Sequence, residues 1–161
     1  MRTRNLVLGK VELNVLTVTW NHARVAQSLD FAKMFPEHRK YDIIAFGGQE
    51  SGSEKDEEVA LICNYFANDF EKVEFVGKGE IFLVVFVKKN DQLFMRDVQK
   101  NYIMKDMIGY GWKGGVIIQF TLCDTVFSFI NCHLESGQTA IPKRIAMASQ
   151  ILKEIGLYSE K

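Results

Sequence analysis

Strands dominate the pattern of hydrophobic and polar positions along the chain. Apolar residues at every second position predict a strand over residues 11–20, and a compact apolar run predicts another over 41–46. Two hairpins are expected further on, and their strands cover 73–76, 81–87, 116–122 and 126–134. The pattern therefore favours a fold built around β-sheet.

Three segments have the spacing of helices. The first, 23–35, has to end at Pro36, because proline removes a backbone donor and clashes with the preceding turn. The second opens at Ser53, which with Asp56 resembles a capping box. Its apolar stripe is predicted to contain Val59, Ile62, Phe66 and Phe70. The third helix is predicted over 143–155, with an inward face of Ile145, Ala148, Ile151, Leu152 and Ile155.

The run Ile81–Val87 is apolar at every position. Side chains alternate between the two faces of a strand, so this strand is expected to be covered on both sides. The predicted helices can cover one face. The other face implies a further sheet or the surface of a partner, and we expect a protein partner or a second copy of the chain to cover an open sheet face.

Length and charge limit the possible function classes. With 161 residues, the chain is predicted to form a single domain over 1–161. Twenty basic residues balance twenty acidic ones, so no overall field attracts nucleic acid, and none is expected as a partner. Charged residues interrupt the apolar stretch near the start before a transmembrane segment develops. A cytoplasmic protein, peripheral at most to membranes, is the expectation.

Several polar residues lie where strands are predicted to end or lie within an apolar strand. Glu50 follows a buried strand, Asn21 ends another, and Lys113 lies next to a glycine pair. Asn131 and His133 share one face of an apolar strand. Taken singly, each has an ordinary explanation: a solvated loop carboxylate, a turn-forming asparagine, a surface lysine or a hydrogen-bonded core histidine.

Read together, these residues resemble a known family. The sequence contains, in order, Thr19-Trp20-Asn21, Gly48-Gln49-Glu50, Arg96-Asp97-Val98, Gly111-Trp112-Lys113-Gly114-Gly115 and Asn131-Cys132-His133-Leu134. This series, extended by Gly137-Gln138 and Arg144, is similar to the inositol polyphosphate 5-phosphatases of the endonuclease/exonuclease/phosphatase superfamily. The resemblance implies an α/β fold: half of a four-layer αββα sandwich, with mixed, mainly antiparallel sheet and helices on one face.

The resemblance also implies a site and a cofactor. Glu50 and Asn21 would hold Mg²⁺, which prefers oxygen ligands and works with phosphate substrates. His133 and Asn131 would be catalytic, with His133 as an acid or charge stabiliser at the scissile phosphate. Lys113, Gln49 and Arg144 would bind a phosphoinositide or a soluble inositol phosphate.

The sequence departs from the family pattern at several positions. Ala23 and Arg24 replace an Asn and a Gly, Trp112 replaces an Asn, and Ile145 and Met147 replace the Asn and Asp of the family's RNxD stretch. No counterpart of the GDxNYR, WCDR and SDHxP segments, which carry the family's Asp/Asn pair and Asp-His dyad, occurs within residues 1–161.

Two hypotheses follow. In the first, the chain is the amino-terminal half of a Mg²⁺-dependent phosphatase that removes the 5-phosphate from inositol polyphosphates or phosphoinositides. In the second, it is a catalytically inactive remnant that serves as a structural or interaction subunit through its exposed sheet face. A nuclease is the weaker interpretation, because no basic patch stands out.

Overall fold

The computed structural model describes residues 12–24, 30–52, 55–104 and 113–156. Within these ranges the strands are β1 (Val15–Asn21), β2 (Ile43–Gln49), β3 (Phe70–Lys78), β4 (Ile81–Lys88), β5 (Met95–Met104), β6 (Gly114–Leu122) and β7 (Thr125–His133). The helices are α1 (Phe31–Met34), α2 (Lys55–Phe66) and α3 (Ile141–Glu154). Single 3-10 turns occupy His38–Lys40, Gln92–Phe94 and Gln138–Ala140.

The described strands form two sheets. The first has the order β1-β2-β4-β3, in which β1 and β2 are parallel and the other pairs are antiparallel. The second has the order β5-β6-β7 and is antiparallel throughout. Both predicted hairpins are confirmed. β5 was not predicted, because it is an edge strand whose residues 96–102 are all exposed, so it has no apolar face to reveal it.

Four layers result, with β4 at the centre. Phe82, Val84 and Phe86 pack on one side in the cluster that contains the buried residues of α1 and α2. The alternate β4 residues, 81 to 87, pack on the other side against β6 and β7. On the far side of the second sheet, Met147 and Ile151 of α3 cover Ile103 and Ile117. The α/β class and the αββα order are confirmed, and helices lie on both outer faces rather than one.

This arrangement corrects the expectation of an open sheet face. All seven residues from Ile81 to Val87 are buried, with relative exposures of 3% or less. Their second face is covered by the further sheet that the apolar run implied, and this sheet comes from the same chain. A protein partner or second copy is therefore not needed to enclose this strand.

Helix α2 follows its predicted stripe with one exception. Val59, Ile62 and Phe66 are buried as expected, and full burial of a side chain such as Ile62 stabilises the fold by about 1.5–3 kcal/mol. Phe70 does not belong to the helix. The helix ends at Phe66, and Phe70 opens β3, from which it reaches the same aromatic cluster. The proposed cap at Ser53 lies outside the described residues.

The inward face of α3 differs from the prediction. Met147 and Ile151 are buried, whereas Ile145 is 61% and Leu152 is 36% exposed. The surface of the second sheet determines which face of α3 is buried. Gly115 leaves room for Ile151, because a Cβ at Gly115 would lie 2.8 Å from Cδ1 of Ile151. In the first predicted helix, Phe31–Met34 is helical and the chain leaves the helix before Pro36, while residues 25–29 lie outside the described part.

Two histidines that belong to none of the matching motifs, His22 and His38, are largely covered. His22 is only 5% exposed, because it turns inward at the end of β1 beneath α2. The side chain of His38 is 15% exposed, and its Nδ1 lies 3.1 Å from the carbonyl oxygen of Phe35. Aromatic rings pack against both imidazoles and shield them from solvent.

Candidate active site

Two parallel strands deliver polar side chains to one edge of the first sheet. β1 and β2 end together, with Asn21 opposite Gln49, and Glu50 follows directly. The side-chain amide of Asn21 donates a hydrogen bond to Oε1 of Glu50 at 3.1 Å. The two residues predicted to hold a metal are therefore in direct contact.

An antiparallel pair in the second sheet delivers the other charged groups. The last residue of β7, His133, lies opposite Gly114, the first residue of β6, so Lys113 comes next to the imidazole. Nζ of Lys113 lies 2.6 Å from Nε2 of His133, and the same Nε2 lies 3.3 Å from Oε1 of Glu50. The structure thus brings an ammonium, an imidazole and a carboxylate from two different sheets to one point.

Nε2 of His133 lies between a donor and an acceptor. When the imidazole is neutral with its proton on Nδ1, Nε2 can accept a hydrogen bond from the Lys113 ammonium. When Nε2 carries a proton, it can donate to Glu50 instead, and Lys113 must then find another acceptor. A group that enters between Lys113 and Glu50 therefore controls where this proton lies. An anionic oxygen, which accepts from both nitrogens, satisfies the arrangement best.

The surroundings of Glu50 keep it ionised. The hydrogen bond from Asn21 is the largest effect that holds the pKa of Glu50 below its usual value, followed by the positive charges of His133, Lys113 and Arg24, while burial opposes them. An ionised carboxylate at the end of a strand is a hard oxygen ligand. Glu50 is therefore available in the form that a divalent cation requires.

Asn131 and Gln49 form a buried network between the two sheets. The Asn131 amide donates to the carbonyl oxygens of Gly48 and Phe82, at 2.8 and 2.7 Å, and its Oδ1 accepts from Nε2 of Gln49 at 2.5 Å. Gln49 also donates to Oγ1 of Thr19 at 3.0 Å. Asn131 is 6% exposed, so its contacts are with the protein rather than with the open end of the site.

A strained turn supports Glu50 from the side of β1. Ala23, Arg24 and Glu50 all have a left-handed backbone, with φ of 50°, 58° and 52°. The Arg24 N–H donates to the carbonyl oxygen of Glu50 at 2.9 Å, and its guanidinium Nε donates to Glu80 at 3.0 Å. The family positions occupied here by Ala23 and Arg24 are an Asn and a Gly, two residue types that tolerate this backbone well. That substitution was the signal that sequence reasoning could have used to find this turn.

Arg144 lies further along the chain from these groups, on α3. Its Nη1 donates to the carbonyl oxygens of Glu135 and Gly137, at 3.1 and 2.7 Å. These carbonyls belong to the loop that follows His133. Arg144 thus fastens the loop that follows His133. Trp112, the bulky replacement beside Lys113, lies outside the described residues.

The donor set at Glu50 fits a singly anchored magnesium ion. In the described ranges, no group of three or more His, Cys, Asp or Glu side chains is placed to enclose a metal. Mg²⁺ does not require such a cage, because it commonly binds one or two carboxylates and completes its shell with water and substrate phosphate. The carboxylate of Glu50 provides that kind of anchor, and Nδ2 of Asn21, which donates to its Oε1 at 3.1 Å, orients it.

Comparison with known proteins assigns the chain to a family. A sequence model of Endonuclease/Exonuclease/phosphatase family 2 matches residues 18–161. The chain belongs to this family. The matched region contains every residue that the motifs placed in the site, from Asn21 to Arg144.

Two curated relatives within this similarity are named as 5-phosphatases of inositol phosphates or phosphoinositides. A probable inositol polyphosphate 5-phosphatase of Schizosaccharomyces pombe is 32% identical over 81 residues, which are 50% of this chain and 7% of that protein. The phosphatidylinositol 3,4,5-trisphosphate 5-phosphatase 2A of Danio rerio is 29% identical over 122 residues, which are 73% of this chain and 10% of the relative. The similarity to inositol polyphosphate 5-phosphatases is confirmed, and the chain spans about a tenth or less of these relatives.

Solved structures share the fold of this family member. The inositol polyphosphate 5-phosphatase domain of SPsynaptojanin, solved with inositol (1,4)-bisphosphate and a calcium ion, matches with a TM-score of 0.70 and 20% identity over 84% of this chain and 44% of that one. A Cimex nitrophorin, solved as a ferrous NO complex, matches with a TM-score of 0.64 and 17% identity over 82% of this chain and 50% of that one. Because the second structure is named for a different ligand, the fold alone does not assign an activity.

None of the described helices is both long enough and apolar enough to cross a bilayer.

Proposed function

We propose that this chain contributes a Mg²⁺-dependent, phosphate-binding site that acts on inositol polyphosphates or phosphoinositides. One observation carries the proposal: Glu50, His133 and Lys113 meet within 3.3 Å although they come from different sheets. The family match and the names of the two curated relatives support the substrate class.

Each group has a role that its surroundings permit. Glu50 and Asn21 would hold Mg²⁺, which when bound supplies a Lewis acid that draws charge from a phosphoryl oxygen. Lys113 would donate to a phosphate oxygen that replaces Nε2 of His133 as its acceptor. His133, once protonated, would donate from Nε2 to the same phosphate and act as acid or charge stabiliser.

The remaining predicted residues are proposed as supports. Asn131 and Gln49 are hydrogen-bonded to each other between the sheets, where they set the distance between the ends of β2 and β7. Arg144 holds the loop after His133 through two backbone carbonyls. These contacts support positioning of the Glu50 and His133 cluster rather than direct contact with substrate.

The second candidate is a non-catalytic subunit with the same fold. An open sheet face at β4 does not support this candidate, because the residues of β4 are buried on both faces. Its remaining support is the absence of the family's Asp-His dyad from residues 1–161, since groups that align and activate water contribute several orders of magnitude to rate. We therefore expect slow turnover by this chain and use binding as the primary test.

The test measures binding of Mg²⁺ and of phosphate ligands by titration calorimetry. One arm uses a soluble inositol polyphosphate, and the other uses vesicles that contain a phosphoinositide. Lys113→Ala and His133→Ala each remove one charge-assisted contact worth about 1.5–3 kcal/mol, so each should weaken ligand binding roughly 10- to 100-fold. Phosphate release with Mg²⁺ is measured on the same samples.

His38→Ala is the matched control. It also removes a histidine that faces a carboxylate, with Nε2 of His38 3.4 Å from Asp69, but at the other end of the first sheet. Its ligand affinity should equal that of the unaltered chain. If the unaltered chain binds neither ligand, or binds no better than His133→Ala, the phosphatase proposal is rejected and the non-catalytic subunit is favoured.

A further inference from the structure

A second polar pair is buried next to the site, and no role was predicted for it. Nε2 of His22 lies 3.3 Å from Oε1 of Glu58 on α2, and their side chains are 6% and 13% exposed. Both atoms are buried, and among the described residues neither has a partner that meets the geometry of a hydrogen bond. The rings of Trp20 and Phe82 flank the imidazole, each with its centroid 6.2 Å away. The two polar groups therefore face each other next to aromatic rings.

The pair is joined to the site through the backbone. The His22 N–H donates to the carbonyl oxygen of Gln49 at 2.8 Å, immediately before Glu50. On its other side, the Ala23 N–H donates to Oδ1 of Asn21 at 2.9 Å, which fixes the amide whose Nδ2 reaches Glu50. His22 is thus the residue between Asn21 and the strained turn, and Glu58 is its link to α2.

The turn after His22 needs an external restraint. Ala23 and Arg24 are consecutive non-glycine residues with positive φ, a backbone state that costs on the order of 1–2 kcal/mol per residue. Such strain persists only where the surrounding structure holds it. The hydrogen bonds of Ala23 and Arg24 to the site hold one side of the turn. On the other side, the buried imidazole of His22 faces Glu58 of α2.

We propose that His22 and Glu58 are positioning residues that hold Ala23 and Arg24 in their left-handed backbone and so direct the Asn21 amide at Glu50. This inference rests on the proposed function in one respect, because it takes Glu50 and Asn21 as the cation site. A purely structural pair would contribute to stability without controlling the turn. Apolar replacement of a buried polar pair by side chains of similar volume is often tolerated, which allows the two roles to be separated.

The experiment compares the unaltered chain with the His22→Leu/Glu58→Leu double variant and with Glu58→Gln. Hydrogen exchange is measured at the Ala23 and Arg24 amides, relative to amides in β4, together with the urea midpoint and Mg²⁺ affinity. In the double variant we expect a similar midpoint, at least tenfold faster exchange at both amides, and at least tenfold weaker Mg²⁺ binding. In Glu58→Gln the side-chain oxygen can still accept from His22. Its exchange rates and Mg²⁺ affinity should therefore stay within about threefold of those of the unaltered chain.

A matched pair provides the control. A His38→Leu/Asp69→Leu variant replaces a similar histidine and carboxylate pair at the other end of the sheet, and it should leave the Ala23 and Arg24 amides unchanged. Should the first double variant not fold, Glu58→Ala keeps α2 helical and gives the same readout.

Unchanged protection of both amides in a folded variant would overturn the inference. Because exchange is measured without metal, this result is independent of the proposed function. A chain that shows the exchange effect but binds no Mg²⁺ would instead reject the cation site and leave the positioning role intact.

Discussion

Asn131 offers the sharpest test of how the two sheets are held together. Its side chain is 6% exposed and joins β7 in the second sheet to β2 and β4 in the first. Gly47 makes this contact possible, because a Cβ there would lie 2.6 Å from Cγ of Asn131. Replacing Asn131 with Ala removes the bridge while leaving the surrounding apolar packing in place.

The cost follows from the three hydrogen bonds that are lost. Asn131 donates to two backbone carbonyls and accepts from Gln49, at 2.8, 2.7 and 2.5 Å. A buried hydrogen bond contributes about 1 kcal/mol net, and more when the partner stays buried without a replacement. We therefore expect Asn131→Ala to lower the free energy of unfolding by about 3 kcal/mol. Asn131→Asp keeps the shape but has no N–H to offer the two carbonyls, so it should cost at least as much.

Urea denaturation followed by tryptophan fluorescence measures the free energy of unfolding. Asn101→Ala is the control, because Asn101 is exposed and its side chain accepts from the adjacent Tyr102 N–H at 2.8 Å. This variant should lose less than about 0.5 kcal/mol. If Asn131→Ala loses no more than Asn101→Ala, the bridge does not hold the sheets together and the reasoning from satisfied buried amides fails here.

Three further predictions follow from single positions. Gly114→Ala should lower the free energy of unfolding by about 2–3 kcal/mol, because the new Cβ would lie 2.1 Å from the carbonyl oxygen of Ile103; an unchanged urea midpoint would contradict this. Glu50→Gln should weaken Mg²⁺ binding at least tenfold with little change in melting temperature, and equal loss in Glu74→Gln, a carboxylate paired with Lys100, would mean that calorimetry reports nonspecific binding. Burial raises the pKa of Glu58 from 4.5 to about 7, so the folded chain holds this proton more tightly than the unfolded chain, and stability is lost as pH rises through about 7. The free energy of unfolding of the unaltered chain, relative to Glu58→Gln, should therefore fall between pH 5 and pH 8 by up to about 3 kcal/mol, and a difference independent of pH would refute it.

The local sequence pattern was sufficient to predict secondary structure where a segment's own residues determine it. The continuous apolar run of β4 predicted a strand covered on both faces, and the hairpin of β6 and β7 followed from its turn. β5 escaped because an exposed edge strand has no apolar periodicity. Phe70 was placed on α2 because its spacing from Phe66 suits a helix, although the chain turns between them.

The residue types of the site could be predicted from the sequence, but their proximity in the folded chain could not. Motif resemblance singled out Glu50, Lys113 and His133, and no rule of sequence spacing brings them within hydrogen-bonding distance. The burial of His22 and its pairing with Glu58 likewise depend on α2 crossing the end of β1.

Apart from β5, the order of residues determined which strands form and which chemical groups the chain carries, because periodicity and side-chain chemistry act over a few residues. Packing of the two sheets settled the rest: which helix face is covered, which polar groups lose water, and which charges share one point. Those outcomes depend on contacts between segments that are distant in sequence, and such contacts form only when the layers assemble.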